Sequence, residues 1–173
     1  MTATPIPKFD PQRPGLLKVI RELNTPWKMK LFFLQRLPSC WFWGVKVKYV
    51  DPDRAQVTIP FKWRTQNPFR STYFAALSGA AELSTGLLAM IALHGRGQIS
   101  MLITHVEAEF VKKADGRTTF SCDAGPALRE TIQRAIDSGN GETIRVASIG
   151  RNEAGVEVCR VYLTWSFKVK SNS

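Results

Sequence analysis

Residues 67–94 read NPFRSTYFAALSGAAELSTGLLAMIALH. From about Ser71 to His94 this segment is apolar or small on every side, and a helix apolar all round is a buried one. The glycines of HGRGQ, residues 94–98, end it. Ala75, Ala76, Gly79 and Ala80 are small enough to let a sheet or a partner approach the helix backbone. Glu82 does not fit this pattern. A buried carboxylate is costly unless it is paired or protonated. One reading has Glu82 reaching an arginine or a backbone donor. The other has it held in a pocket with a raised pKa, as a base or nucleophile. Phe74–Leu93 is nearly long enough to span a membrane. The charge in its middle, and the strand patterns on both sides, favour a core helix instead.

Working outward, the period changes from helical to alternating. Before the helix, Val45, Val47 and Tyr49 alternate with lysines. After the turn DPDR, Val57, Ile59 and Phe61 alternate again, giving a hairpin. After the helix, residues 100–113 place Leu102, Val106, Ala108 and Phe110 on one face and His105, Glu107 and Glu109 on the other. A turn at ADG leads to a strand through Phe120 and Cys122. PALRETIQRAIDSGNG reads as a helix opened by proline and closed by glycine. Two final strands follow, the second with Val161, Leu163, Trp165, Phe167 and Val169 in strict alternation. Strands in runs joined by hairpins imply an antiparallel sheet and the α+β class. About six strands and one apolar helix imply a sheet wrapped around that helix.

The N-terminal part differs. Residues 1–15 are rich in proline and read as an extended arm. Residues 16–38 read as two helices, the second running to Pro38 with Thr25 as N-cap and Pro26 in its first turn. Trp27, Leu31, Phe32, Leu34 and Leu37 lie among Lys28, Lys30 and Arg36. Such a helix can touch a membrane surface, although packing on its own domain is the commoner use, so membrane contact is left open but not predicted. Residues 16–173 form one domain, with the core at 44–170.

The chain has 173 residues, a net charge of +10 and a sequence pI near 9.9. So basic a surface favours anionic partners. Nucleic acid is not expected among them, since the cations are spread along the chain and no nucleic-acid-binding motif is present. Cys40, Cys122 and Cys159 have no metal-ligand spacing and read as reduced thiols in a cytoplasmic protein. His94 reads as a helix-end residue and His105 as part of a solvated strand face. No metal, cofactor fingerprint or serine-nucleophile elbow is indicated.

The stretch 67–86 resembles the central motif of the hotdog-fold thioesterases, in particular the phenylacetate-pathway branch. The family pattern is roughly N-x-x-G-x-x-H-G-G, then six residues, then Asp or Glu. Here Asn67 takes the asparagine position, Tyr73, Phe74 and Ala75 take the His-Gly-Gly positions, and Glu82 takes the acid position, followed by Gly86. The intervening glycine is Arg70. The resemblance spans roughly residues 44–170, with N-terminal helices typical of an uncharacterised branch. It implies a hotdog fold acting on acyl-CoA or another acyl thioester. The N–H of Ala75 would polarise the thioester carbonyl, Asn67 would position it or the water, and Glu82 would serve as base or nucleophile. Tyr73, Phe74 and Ser84 would line the substrate path.

Tyr73 and Glu82 are nine residues apart, about 13 Å along a helix and on opposite faces. Glu82 cannot act at the N-terminus of its own helix. A site containing both ends needs two chains, so a homodimer or a dimer of dimers is expected. A non-catalytic acyl-CoA or fatty-acyl binding protein on the same fold is the alternative.

Overall fold

Three short helices come first in the computed structural model, which describes residues 6–170. They are α1 (Pro14–Leu23), α2 (Pro26–Arg36) and α3 (Pro38–Trp43). Each has proline in its first turn, where the missing N–H would have no intrahelical partner. The sequence reading ended the second helix at Pro38, in keeping with α2, but expected no third helix after it. Pro38 cannot continue a helix, so α2 stops and α3 starts there. Gly44, at φ 74°, closes α3 in the left-handed conformation. Thr25 holds the N-cap position of α2, but its hydroxyl donates back to the Arg21 carbonyl at 2.7 Å rather than capping.

Strands β1 (Lys46–Val50) and β2 (Ala55–Ile59) form the first hairpin. The core helix α4 (Phe74–Leu93) follows, then β3 (Ile99–Phe110), β4 (Thr118–Cys122), α5 (Gly125–Ser138), β5 (Glu142–Arg151) and β6 (Glu157–Val169). The six strands form one sheet in the order β1-β2-β4-β5-β6-β3. Every neighbouring pair is antiparallel. Its inner face packs on α4, where Val57, Ile59, Phe120, Val161, Leu163 and Phe167 are buried. This is the hotdog arrangement of the α+β class that the sequence implied. Phe74–Leu93 is long and apolar enough to cross a membrane, but here it is the enclosed core of the sheet.

Two local features depart from the sequence reading. Strand β3 has a bulge at Thr104, between the pairs Ile103–Trp165 and His105–Thr164. The extra residue reverses the alternation. Val106, Ala108 and Phe110 pair with Leu163, Val161 and Cys159 and so take the inner face, as expected. Leu102 pairs with Ser166 on the outer face and is 65% exposed. The helix also begins at Phe74 rather than near Ser71, because residues 66–72 close on themselves through a Gln66–Thr72 bridge.

Helix α5 meets the β1–β2 turn backbone to backbone. The N–H of Gly125 donates to Asp53 O at 3.0 Å. A Cβ at Gly125 would lie 2.1 Å from the Pro52 carbonyl oxygen. Backbone on both sides leaves little room to relax. Gly125→Ala is expected to destabilise the fold by about 3 kcal/mol, read as a lowered urea midpoint with an unchanged slope.

Candidate active site

The segment 60–73 is built by its own polar groups. The Thr65 hydroxyl donates to Pro60 O at 2.8 Å and accepts the Lys62 N–H at 2.9 Å. The Asn67 side-chain oxygen accepts the N–H groups of Phe69 and Ser71 at 3.0 and 3.1 Å. This turn carries Arg70 at φ 56°, in the left-handed region. The Asn67 carboxamide oxygen is therefore engaged in shaping the loop, and only its NH2 group remains free to meet a ligand among the described residues. The Tyr73 N–H donates to Thr65 O at 2.7 Å, which hands the chain into α4.

At the start of α4 the first carbonyl acceptor is Tyr73 O, which takes the N–H groups of Ala76 and Leu77 at 3.0 and 3.1 Å. No side chain caps this terminus. The N–H groups of Phe74 and Ala75 have no acceptor among the described residues, as expected for the first turn of a helix. A helix N-terminus with free N–H groups favours negative charge. Beside it lies a pocket of about 650 Å³, lined in part by Asn67, Tyr73, Phe74, Leu77 and Phe110. Tyr73 and Phe74 meet at 4.8 Å between ring centroids at the pocket wall, and Phe74 is 56% exposed.

Glu82 lies two turns further along α4, outside this pocket. A Cβ on Gly86 would come within 3.2 Å of Glu82 Oε1 and 3.6 Å of the Trp165 ring. Gly86 thus makes room for both. The α3 side chain Cys40 lies near enough for the Glu82 charge to help push the thiol up to about 11, after burial, the larger cause. Trp43 of α3 presses on Gly79, one turn before Glu82. The Glu82 main chain is fixed, since its carbonyl accepts from Thr85 Oγ1 at 2.9 Å and that oxygen accepts from Trp165 Nε1 at 3.0 Å. No cation or hydrogen-bond donor meets its carboxylate among the described residues, and burial alone holds its pKa above the ordinary carboxylate value.

A single chain therefore gathers Asn67, Tyr73 and Phe74 into one pocket, with the Ala75 N–H at the same helix end, and leaves Glu82 apart. Ser84 is in neither place. It is fully buried, with its hydroxyl on Ala81 O and on Ser148 Oγ, each at 2.7 Å. In this position it ties α4 to β5. The sequence reading missed Trp165, Cys40 and Trp43 as the surroundings of Glu82. Only the strict alternation of β6 hinted that Trp165 faces the helix.

Residues 25–167 match the model of a family described as a domain of unknown function, DUF4442. No curated protein matches the chain. Among solved structures, it is similar to PA5026 of Pseudomonas aeruginosa, a protein of unknown function described as a probable thioesterase. That match has a TM-score of 0.69 and 15% identity, covering 84% of this chain and 97% of the other. It is similar to OLEI01261 of Chlorobaculum tepidum, of unknown function, with a TM-score of 0.70 and 17% identity over 84% and 98% of the two chains. The thioesterase HI1161 of Haemophilus influenzae matches with a TM-score of 0.59 and 15% identity over 82% and 91%.

A carboxyl whose native pKa is raised binds its proton more tightly when folded. It therefore supports the fold below its unfolded pKa and weakens it as pH rises through the native one. Glu82→Gln is expected to melt above wild type at about pH 8, with the gap closing by about pH 4. Thermal unfolding across that range checks it.

Proposed function

The chain belongs to DUF4442, an uncharacterised branch of the hotdog-fold thioesterase superfamily, and from that membership and the geometry of α4 we propose that it hydrolyses acyl thioesters such as acyl-CoAs. The observation that carries the reading is the carboxylate of Glu82, half-buried in the core helix, desolvated enough to raise its pKa and met by no cation or donor among the described residues. Keeping such a group is costly, and general-base work gives it a use. The thioesterases among the structural neighbours support the same reading.

The site is shared by two copies. One supplies the pocket and the N-terminus of α4, and the other supplies Glu82. Strand β3 supports this assembly. It is twelve residues long, ends the sheet, and pairs only with β6 on one side. Its inner-face residues Val106 and Phe110 are about half exposed. A second β3 pairing along this edge would cover them and bring the two α4 helices together. Three buried free cysteines are in keeping with the cytoplasm as the compartment.

In the reaction the thioester carbonyl oxygen points at the Ala75 N–H, with the Asn67 NH2 beside it. Glu82 of the other copy takes a proton from water as the water oxygen bonds to the carbonyl carbon. The resulting oxyanion is held by the helix N-terminus. Collapse breaks the carbon–sulfur bond, and the thiolate leaves with the proton from Glu82. The products are a carboxylic acid and a thiol. Direct attack by Glu82, through an anhydride that water then opens, uses the same groups. A second reading, acyl binding without hydrolysis, draws on Asn67, whose oxygen is occupied by the loop, and on the Phe74 ring at the pocket wall.

A screen of short, medium and long acyl-CoAs is expected to show hydrolysis by wild type. The rate should rise with pH as Glu82 ionises, and fall at least about 100-fold in Glu82→Ala. The variant should keep its fold and its oligomeric state by light scattering. Folded wild type that hydrolyses none of these substrates would sink the hydrolase reading, and calorimetric binding of the same acyl-CoAs would then favour the carrier.

A further inference from the structure

Helix α2 has two apolar faces, and hydrolysis uses neither. Met29 and Phe33, four residues apart, are buried. Trp27, Leu31 and Leu34, spaced i, i+4 and i+7, form an outer stripe. Trp27 is 66% exposed, and the two leucines are about half exposed. On α3, which packs beside α2, the exposed Phe42 meets Trp63 edge to face at 6.0 Å. Trp63 is 76% exposed. Large exposed apolar side chains gathered in one region mark a contact surface.

Beside the stripe runs a groove of about 1470 Å³, with Trp27 and Trp41 on its helical side. Lys30, Lys46, Lys48, Lys62, Arg64 and Arg151 line it. None of these six makes an ion pair among the described residues. The buried Nε of Arg64 has no acceptor. The acid lining the groove, Glu153, is paired with Arg117 at 3.6 Å. The groove thus offers unneutralised positive charge next to an unburied Trp–Leu stripe.

We propose that this surface docks the protein on an anionic lipid bilayer. Trp27, Leu31, Leu34 and Trp63 enter the boundary between headgroups and acyl chains, and the groove cations meet the lipid phosphates. Tryptophan suits that boundary because it joins an apolar ring to a polar N–H. The alternatives each leave part of the surface unused. A second copy related by a two-fold axis would set one cationic groove against its twin. A nucleic acid would engage the cations but has no use for Leu31 and Leu34. The surface lies against β1, at the opposite end of the sheet from β3, so pairing through β3 leaves it open.

The test is sedimentation with large unilamellar vesicles, using the full chain, and it does not depend on hydrolysis. Wild type is expected to pellet with phosphatidylcholine–phosphatidylglycerol vesicles and to stay in solution with phosphatidylcholine alone, with binding weakened by salt. Lys46→Glu and Lys48→Glu should each lower partitioning about fivefold or more. Trp63→Ser, on a solvent-facing loop, and the double variant Trp27→Ser/Leu31→Ser should lower it while circular dichroism stays unchanged. Folded wild type that ignores the anionic vesicles overturns the proposal. So do tryptophan variants that bind as wild type does, which would reduce the surface to a simple anion site. Loss of a dimer in Trp27→Ser/Leu31→Ser without vesicle binding by wild type would instead assign the surface to a second copy.

Discussion

Helix α4 has no polar face to offer to water, and most of the fold follows from enclosing it. Thirteen of its residues are buried. Strands β2, β4, β5 and β6 cover one side and α5 another. Small side chains set how closely these elements approach. Gly79 admits the Trp43 ring and Gly86 admits the Trp165 ring beside the Glu82 carboxylate. Within this apolar enclosure the polar groups are placed in bonded pairs, Ser84 with Ser148 and Thr85 with Trp165. Glu82, half-buried at the edge of this enclosure, differs from them in having no partner among the described residues, and that difference is what makes it a candidate for chemistry rather than for packing.

The two ends of the candidate site owe their position to different physics. The helix N-terminus is set by a loop that satisfies its own backbone. Thr65 and Asn67 accept main-chain N–H groups, and the chain enters α4 with two N–H groups free. The carboxylate is set by burial and by steric room. The two ends face different regions of one chain. That separation is a property of helical rise and is independent of any relative.

Much of the fold was legible in the sequence because the signals were periodic. The apolar run of α4 and the alternation in β6 leave few options. The misses arose where one residue changes the phase or geometry. Thr104 inserts a bulge, and Leu102 moves to the outer face. Pro38, read as the end of the second helix, also opens a third, α3, that no periodic signal announced. The Thr25 hydroxyl chose a carbonyl behind it over the N–H groups ahead. At the site, Glu82, Asn67 and the α4 N-terminus could be named from residue type and spacing. Their surroundings could not, because Cys40 and Trp165, near Glu82, and Trp43, against Gly79 one turn before it, are distant in sequence and come there only through packing. Nor could spacing show that Ser84 would find Ser148, sixty-four residues away.

The Asn24 side chain has a consequence for how far molecules of this chain can associate. Its carboxamide donates to Val50 O at 2.7 Å and accepts the Val50 N–H at 3.0 Å, imitating a neighbouring strand at the end of β1. With α2 lying alongside, that border of the sheet is stoppered, while the border formed by β3 is open. A sheet with two open borders can add molecules indefinitely and grow into a fibre. One with a single open border is self-terminating, since joining two such borders leaves none to extend. A short polar side chain at the junction of α1 and α2 thus occupies, at the end of β1, the hydrogen-bonding groups that an added strand would need.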